Sequence, residues 1–113
     1  MTMFRIMLIM LCGVLTVYTA IVIANHGIGL FSVFFGDIAV MAWPGQFNLD
    51  FSMLLLLMAI WVAWRHQFSL AGFALALIAG LFGAIFLTLY LFVLSIQTQG
   101  NVKAMLLGTS RAS

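Results

Sequence analysis

The feature that most constrains this chain is a series of long apolar runs separated by short polar segments. Met3 to Ala24 and Leu70 to Ile96 are each long enough for a helix to cross a hydrocarbon core of about 30 Å. A third run, Phe51 to Trp64, is just long enough to cross once Phe47 to Leu49 are added. A bilayer leaves backbone polar groups without water, and the alternation of a membrane β-barrel is missing from the sequence. These runs therefore predict membrane helices.

The composition supports the same class of protein. Of 113 residues, 66% are hydrophobic and 5% are charged, whereas about a quarter of the residues of a soluble domain are charged. No polar block is long enough to form a second, soluble domain. We predict one all-α integral membrane domain, residues 1–113, with spans at about 3–24, 48–65 and 70–96 and a polar tail at 97–113.

The first run also fits a cleaved secretory signal peptide, because Arg5 precedes it and Val22-Ile23-Ala24 ends it with a small residue. Its apolar core is longer than such signals need, so we expect it to stay as a span. A lipoprotein signal is excluded, because the bulky Leu11 precedes Cys12 where a small residue is expected.

The segment between the first two spans contains a short apolar helix. About fourteen residues, 28–41, are too few for an ordinary span, which needs about twenty. Gly29, Ser32 and Gly36 recur at helical spacing on one face. We predict an interfacial or re-entrant helix that docks on its own bundle or on a partner, and a fourth short span stays an alternative.

The residues after this helix predict the start of the second span. Pro44-Gly45 should break the chain, since proline removes a backbone donor. Asn48 is then suited to cap the new helix, and Asp50 would lie in its first turn, where the helix dipole favours a carboxylate. Asp50 has two readings: this structural one, with Lys103 as an ion-pair partner, and a role in binding a ligand or proton.

Small residues recur every four positions along the third span and predict a close-packing face. The ridge consists of Gly72, Ala76, Gly80, Ala84 and Thr88, with Gly83 beside them. A weaker set on the first span, Cys12, Thr16, Ala20 and Ala24, suggests that spans one and three pair.

Three spans would place the tail on the membrane side opposite the N-terminus. Polar groups would then converge in one leaflet, and they form the candidate site: Tyr18, His26, Trp43, Asn48, Asp50, Tyr90 and Lys103. The cations would be divided equally between the two sides of the membrane, with Arg5 and Arg65 on one and Lys103 and Arg111 on the other. We favour a cytoplasmic N-terminus. A bacterial inner membrane or an organellar membrane is the expected location.

Haem ligation by both histidines is excluded, since His26 and His66 would lie about 30 Å apart at opposite faces. A single-histidine pigment or haem site stays open. The methionines do not reproduce a copper pore, because Met53 and Met58 are five apart and point to different faces. Ser52 is not paired with a base as a hydrolase requires. We predict no cofactor beyond lipid or pigment contacts.

Scattered motifs link the chain to a group of membrane proteins: His26-Gly27, Phe34-Phe35, Trp43, Phe47-Asn48-Leu49-Asp50, Trp61, Arg65 and Tyr90-Leu91. Over about residues 18–108 this pattern resembles small uncharacterised three-span families of bacteria and plants, known as domains of unknown function. The resemblance implies an Asp at the start of span two and an interfacial segment before it. It implies no activity.

Features that favour helix packing, such as the small-residue ridge and the short apolar helix, outnumber candidate reactive groups. We therefore expect a non-enzymatic accessory or scaffold subunit. Its partners would be membrane lipids and either other membrane subunits or further copies of the chain. A respiratory or photosynthetic complex is the expected kind of host. Cations scattered to segment ends do not form the basic face that nucleic acid needs. The alternative function is a small membrane-embedded binder or carrier of a lipophilic molecule or ion, centred on Asp50.

Overall fold

The computed structural model describes residues 1–112, and in this range the chain is all-α. It forms α1 (Thr2–His26), α2 (Leu30–Val40), α3 (Trp43–Arg65), α4 (Leu70–Phe82), α5 (Ala84–Gln97) and α6 (Val102–Leu107). α1 packs on α5, α3 packs on both α2 and α4, and α6 packs on α5.

Two helices are long and apolar enough to cross a membrane. They are α1, with 25 residues, and α3, with 23. Only 6% of the most apolar stretch of α1, and 11% of that of α3, is buried inside the protein. A core helix of a soluble protein would be mostly buried, so these two helices present their apolar side chains to the outside.

α2 and α3 form an antiparallel hairpin joined by a tight turn. Met41 adopts a left-handed conformation there, with φ of 61°. Close approach of the two helices requires Gly45, since a Cβ at that position would clash with the backbone oxygen of Asp37. A helix therefore exists where residues 28–41 predicted one, and it lies against the beginning of α3.

The start of α3 differs from the prediction. α3 begins at Trp43 and not near Asn48, because proline is tolerated in a first helical turn, where its missing N–H would have no partner. Asn48 is consequently inside the helix, and its Nδ2 donates to the carbonyl oxygen of Phe34 on α2 at 3.1 Å. Asp50 lies about two turns from the start of α3, so the predicted first-turn role is wrong.

The prediction of a single helix across residues 70–96 is also wrong. Gly83, with φ of 59°, ends α4, and the chain then turns back on itself. Gly83 lies beside the side chains of Phe51 and Leu55 in α3. Farther along α5, Tyr90 bonds to His66, beyond the other end of α3. If α5 continued the direction of α4, it would move away from His66. α4 and α5 are therefore an antiparallel hairpin with a glycine at its tip.

The buried core is small and lies where these hairpins meet α1 and α6. Its apolar members are Leu8, Val62, Ala63, Ala79, Leu94, Ala104 and Met105. α1 packs on α5. The predicted pairing of the first and third apolar runs is therefore formed by α5, the second half of the third run. Most large apolar side chains elsewhere are exposed.

Candidate functional site

All four Lys and Arg residues of the chain lie at one end of the molecule. We call this region the basic end, and it comprises Arg5, Arg65, His66, Lys103 and Arg111. The two carboxylates, Asp37 and Asp50, lie on the α2–α3 hairpin away from it. The stretch of α3 from Asp50 to Arg65 is about 22 Å long at about 1.5 Å per residue. The Lys and Arg side chains are therefore separated from the two Asp side chains along the length of α3.

Arg65 holds the short helix α6 against the end of α3. Its side chain is 9% exposed. Nε donates to the carbonyl oxygen of Met105 at 2.6 Å, and Nη2 donates to that of Ala104 at 3.1 Å. Trp61 Nε1 donates to the next carbonyl, that of Leu106, at 2.9 Å. The last carbonyls of a helix lack intrahelical donors, and a six-residue helix is not stable alone, so these three bonds define the position of α6.

Two further arginines attach other segments to the same end. Arg5, near the start of α1, donates from Nε to Ser95 Oγ at 2.9 Å and from Nη2 to the Ser95 carbonyl oxygen at 2.7 Å. Ser95 is fully buried. Arg111 donates to the carbonyl oxygen of Trp64, and its guanidinium lies 4.1 Å from the centre of the Trp64 ring. Each arginine thus joins two elements that are distant in sequence.

His66 and Tyr90 form a polar contact beside Arg65. His66 Nε2 lies 2.6 Å from the Tyr90 hydroxyl oxygen. The Tyr90 ring stacks on Phe86 with centroids 5.1 Å apart and meets Trp61 edge-on at 5.9 Å. Burial, together with the nearby positive charge of Arg65, lowers the pKa of His66 below its ordinary value of 6.5. His66 is therefore neutral near pH 7.

A cavity of about 410 Å³ opens at the basic end between the ends of α3 and α5 and the segment that follows α6. Its lining consists of Arg65, His66, Gln67, Gln97, Thr98, Gly108, Thr109 and Ser110. Hydroxyl and amide groups supply hydrogen-bond donors, and no carboxylate is among these residues. The guanidinium of Arg65, whose Nε and Nη2 are bonded to α6, supplies positive charge. Such a wall is chemically suited to an anion.

The structure does not bring the predicted site residues together. Trp43, Asn48 and Asp50 lie on the first half of α3, whereas Tyr90 and Lys103 lie at the basic end. The expected convergence required a third crossing, and the reversal at Gly83 removes it. Asp50 lies about 22 Å along α3 from Arg65, and Lys103 lies at the Arg65 end, so the predicted ion pair of Lys103 with Asp50 is excluded. Tyr18 is 68% exposed on α1, and His26 is exposed at the end of that helix.

The residues of the small ridge have different surroundings. Gly72 is buried against His66 and Ala63, and Gly83 is buried against α3. Thr88 is 7% exposed and donates to the carbonyl oxygen of Ala84 at 2.8 Å. A Cβ added at Gly80 would meet nothing within 4 Å. Ala76 is half-buried and Ala84 is exposed. The ridge is therefore divided between internal packing and open surface.

Sequence reasoning overlooked Ser95, His66 and Trp61 as members of a polar cluster, because it placed the tail on the other side of the membrane. The available signal was the pair of glycines at positions 80 and 83, which interrupts the third run near its middle.

Fold and site together define an all-α protein with two helices able to cross a membrane and with its cations at one end. No protein-family model, curated protein or solved structure matches the chain. The resemblance to three-span families stays a prediction.

Proposed function

We propose that this chain is a small integral membrane subunit, of accessory or scaffold type, that associates laterally with a larger membrane complex. The observation that carries the proposal is the exposure of Asp50 on the apolar surface of α3. Its neighbours on the same helical face, Phe47 and Leu54, are 65% and 59% exposed. A carboxylate that faces hydrocarbon is costly, so a polar or cationic group of a partner would stabilise it.

Outward-facing apolar side chains support the membrane as solvent. Met3 is 86% exposed, Val14 70% and Leu57 64%. In water such a surface would lead to aggregation, because soluble monomers rarely expose large continuous apolar patches. In a bilayer the same side chains contact lipid or a partner without that cost.

In the membrane, α1 and α3 would cross, and the α4–α5 hairpin would enter and leave on the same face. α4 has 13 residues and α5 has 14, which gives each a length of about 20 Å, less than the roughly 30 Å of a hydrocarbon core. The non-helical backbone at Gly83 is sheltered by Phe51 and Leu55, as backbone at membrane depth requires. α2 would cover the part of α3 that the hairpin does not reach.

The charge distribution supports one orientation. All four Lys and Arg side chains lie at the basic end, and by the positive-inside rule this supports a cytoplasmic location, or its organellar equivalent, for that end. The N-terminus, the connection between α3 and α4, and the tail would then share one side. A bacterial inner membrane or an organellar membrane fits this arrangement, and a respiratory or photosynthetic complex is a host of the proposed kind.

Site-specific photocrosslinking tests the lateral contact. A photoreactive amino acid at Leu54, beside Asp50, should give one defined adduct with a larger membrane protein, and the same group at Val14 on α1 serves as a control for exposure alone. Asp50→Lys should remove the Leu54 adduct, whereas Asp37→Asn should leave it unchanged. Purification in mild detergent that yields only this chain, monodisperse and without any adduct, would overturn the proposal.

A second candidate function is the binding of a lipophilic molecule. An apolar cavity of about 260 Å³ lies between α2, α3 and the hairpin, and its lining includes Phe31, Phe34, Phe51 and Gly80. Because a Cβ at Gly80 meets no atom within 4 Å, Gly80→Leu would fill this space without a backbone clash. If binding is the function, the variant should lose a co-purified lipophilic compound detected by extraction and mass spectrometry, and Leu77→Ile should retain it.

A further inference from the structure

We propose that the cavity at the basic end binds the phosphate group of an anionic phospholipid headgroup. The inference rests on the proposed membrane placement, and it assigns a ligand that needs no protein partner.

The cavity wall supplies the groups that a phosphate requires. The guanidinium of Arg65 is largely desolvated and always charged, so its field acts on the cavity with little screening. Within residues 1–112, the Gln97 amide and the Thr109 hydroxyl make no hydrogen bond to protein, and both residues are exposed at the cavity mouth. Thr98 Oγ1 donates to Leu94 but can still accept, and Gln67 bonds to Ser110 across the opening.

Charge complementarity favours an anion over a cation or a neutral ligand. Lys103 and Arg111 lie at the same end as Arg65, and both Asp side chains lie on the α2–α3 hairpin, with Asp50 about 22 Å along α3 from Arg65. Basic pockets at the cytoplasmic end of membrane helices are suited to anionic lipid headgroups, whose leaflet carries the complementary charge.

The surroundings of the cavity favour a lipid over a soluble phosphate compound. Exposed apolar side chains lie close in the chain to the lining residues, namely Phe68, Leu70 and Ile96. A headgroup held between Arg65 and Gln97 could therefore place its acyl chains along α4 and α5, where they would cover these side chains. A soluble anion would leave the same apolar surface without that contact.

Native mass spectrometry of the full chain in neutral detergent tests the assignment, with phosphatidylglycerol and phosphatidylcholine as probes. The wild-type chain should retain phosphatidylglycerol at least about fivefold better, the contribution of roughly one cation near an anionic headgroup. Gln97→Glu places a carboxylate at the cavity and should reduce the preference to near parity. Gln99→Glu makes the same charge change at the same end, outside the lining, and should leave it unchanged.

Three results would overturn the assignment. Equal retention of the two lipids by the wild-type chain would show that no anion-selective site exists. An equal loss in both glutamate variants would show general attraction by the basic end. Displacement of phosphatidylglycerol by millimolar inorganic phosphate would show a site for a free anion. Circular dichroism of each variant confirms that the fold is retained, and carbonate extraction of the native membrane tests the membrane placement independently.

Discussion

The Nε atom of Arg65 donates to the carbonyl oxygen of Met105 at 2.6 Å, and this bond joins the end of α3 to a helix that follows it by almost forty residues. Ala104 accepts from the same guanidinium. The position of the tail therefore depends on a side chain that, in sequence, looks like an ordinary cationic border of a membrane span.

Replacing Arg65 tests this dependence. Arg65→Lys keeps the charge but loses the planar fork that reaches both carbonyls, so it should destabilise the fold by about 2 kcal/mol, the range of one hydrogen bond to a charged group. Chemical unfolding in detergent, monitored by tryptophan fluorescence, measures the change. Lys103→Gln alters an exposed cation on α6 and should have no measurable effect. Equal stability of Arg65→Lys and the wild-type chain would contradict the structural role of the fork.

The reversal at Gly83 predicts which side of the membrane each segment occupies. In a Cys12→Ser background, single cysteines at Gln67 and Ser110 should both react with a membrane-impermeant maleimide added from the same side. A cysteine at His26 should react from the opposite side. A third full crossing would instead group Ser110 with His26, and that pattern would exclude the re-entrant hairpin.

The same substitution by alanine should change the stability of the protein in opposite directions at Gly80, within α4, and at Gly83, at the end of α4. Gly83→Ala places a Cβ in a left-handed conformation and 3.1 Å from Phe51 Cζ, so it should destabilise the protein by about 1 to 3 kcal/mol. Gly80→Ala meets open space within a helix and should stabilise the protein by up to about 1 kcal/mol through helix propensity. Thermal unfolding of the two variants in one detergent makes the comparison. If Gly83→Ala is neutral, the tight turn does not form.

The lowered pKa of His66 predicts loss of stability in mild acid. In the unfolded chain His66 takes up a proton near pH 6.5, whereas in the folded protein it takes up that proton only at a lower pH. Between these two values the unfolded state binds more protons, so stability is complete above about pH 6.5 and decreases as the pH falls through the window. Unfolding measured between pH 5 and 8 should show this decrease, and His66→Gln should weaken it.

Much of the local structure follows from the sequence because it depends on near neighbours. The apolar runs predict helices, and the outward exposure of α1 and α3 agrees with their lack of a polar face. Arg5 and Arg65 were expected on one side, and both are at the basic end. The start of α3 was mistaken because proline can either break a helix or begin one, and only the packing of Gly45 against Asp37 selects the second outcome.

Helical structure, an apolar outer surface and scarcity of charge follow from the amino-acid sequence alone, since these properties depend on composition and on runs of adjacent residues. The formation of two antiparallel helices by residues 70–96, and the proximity of Lys103 and Arg111 to Arg65, depend on tertiary contacts. An apolar run of that length can form one helix or two, and the second arrangement requires shelter for the backbone groups exposed at the break. Packing of Gly83 on Phe51 and Leu55, and the bonds of Arg65 to α6, distinguish these alternatives, and both involve residues far apart in the chain.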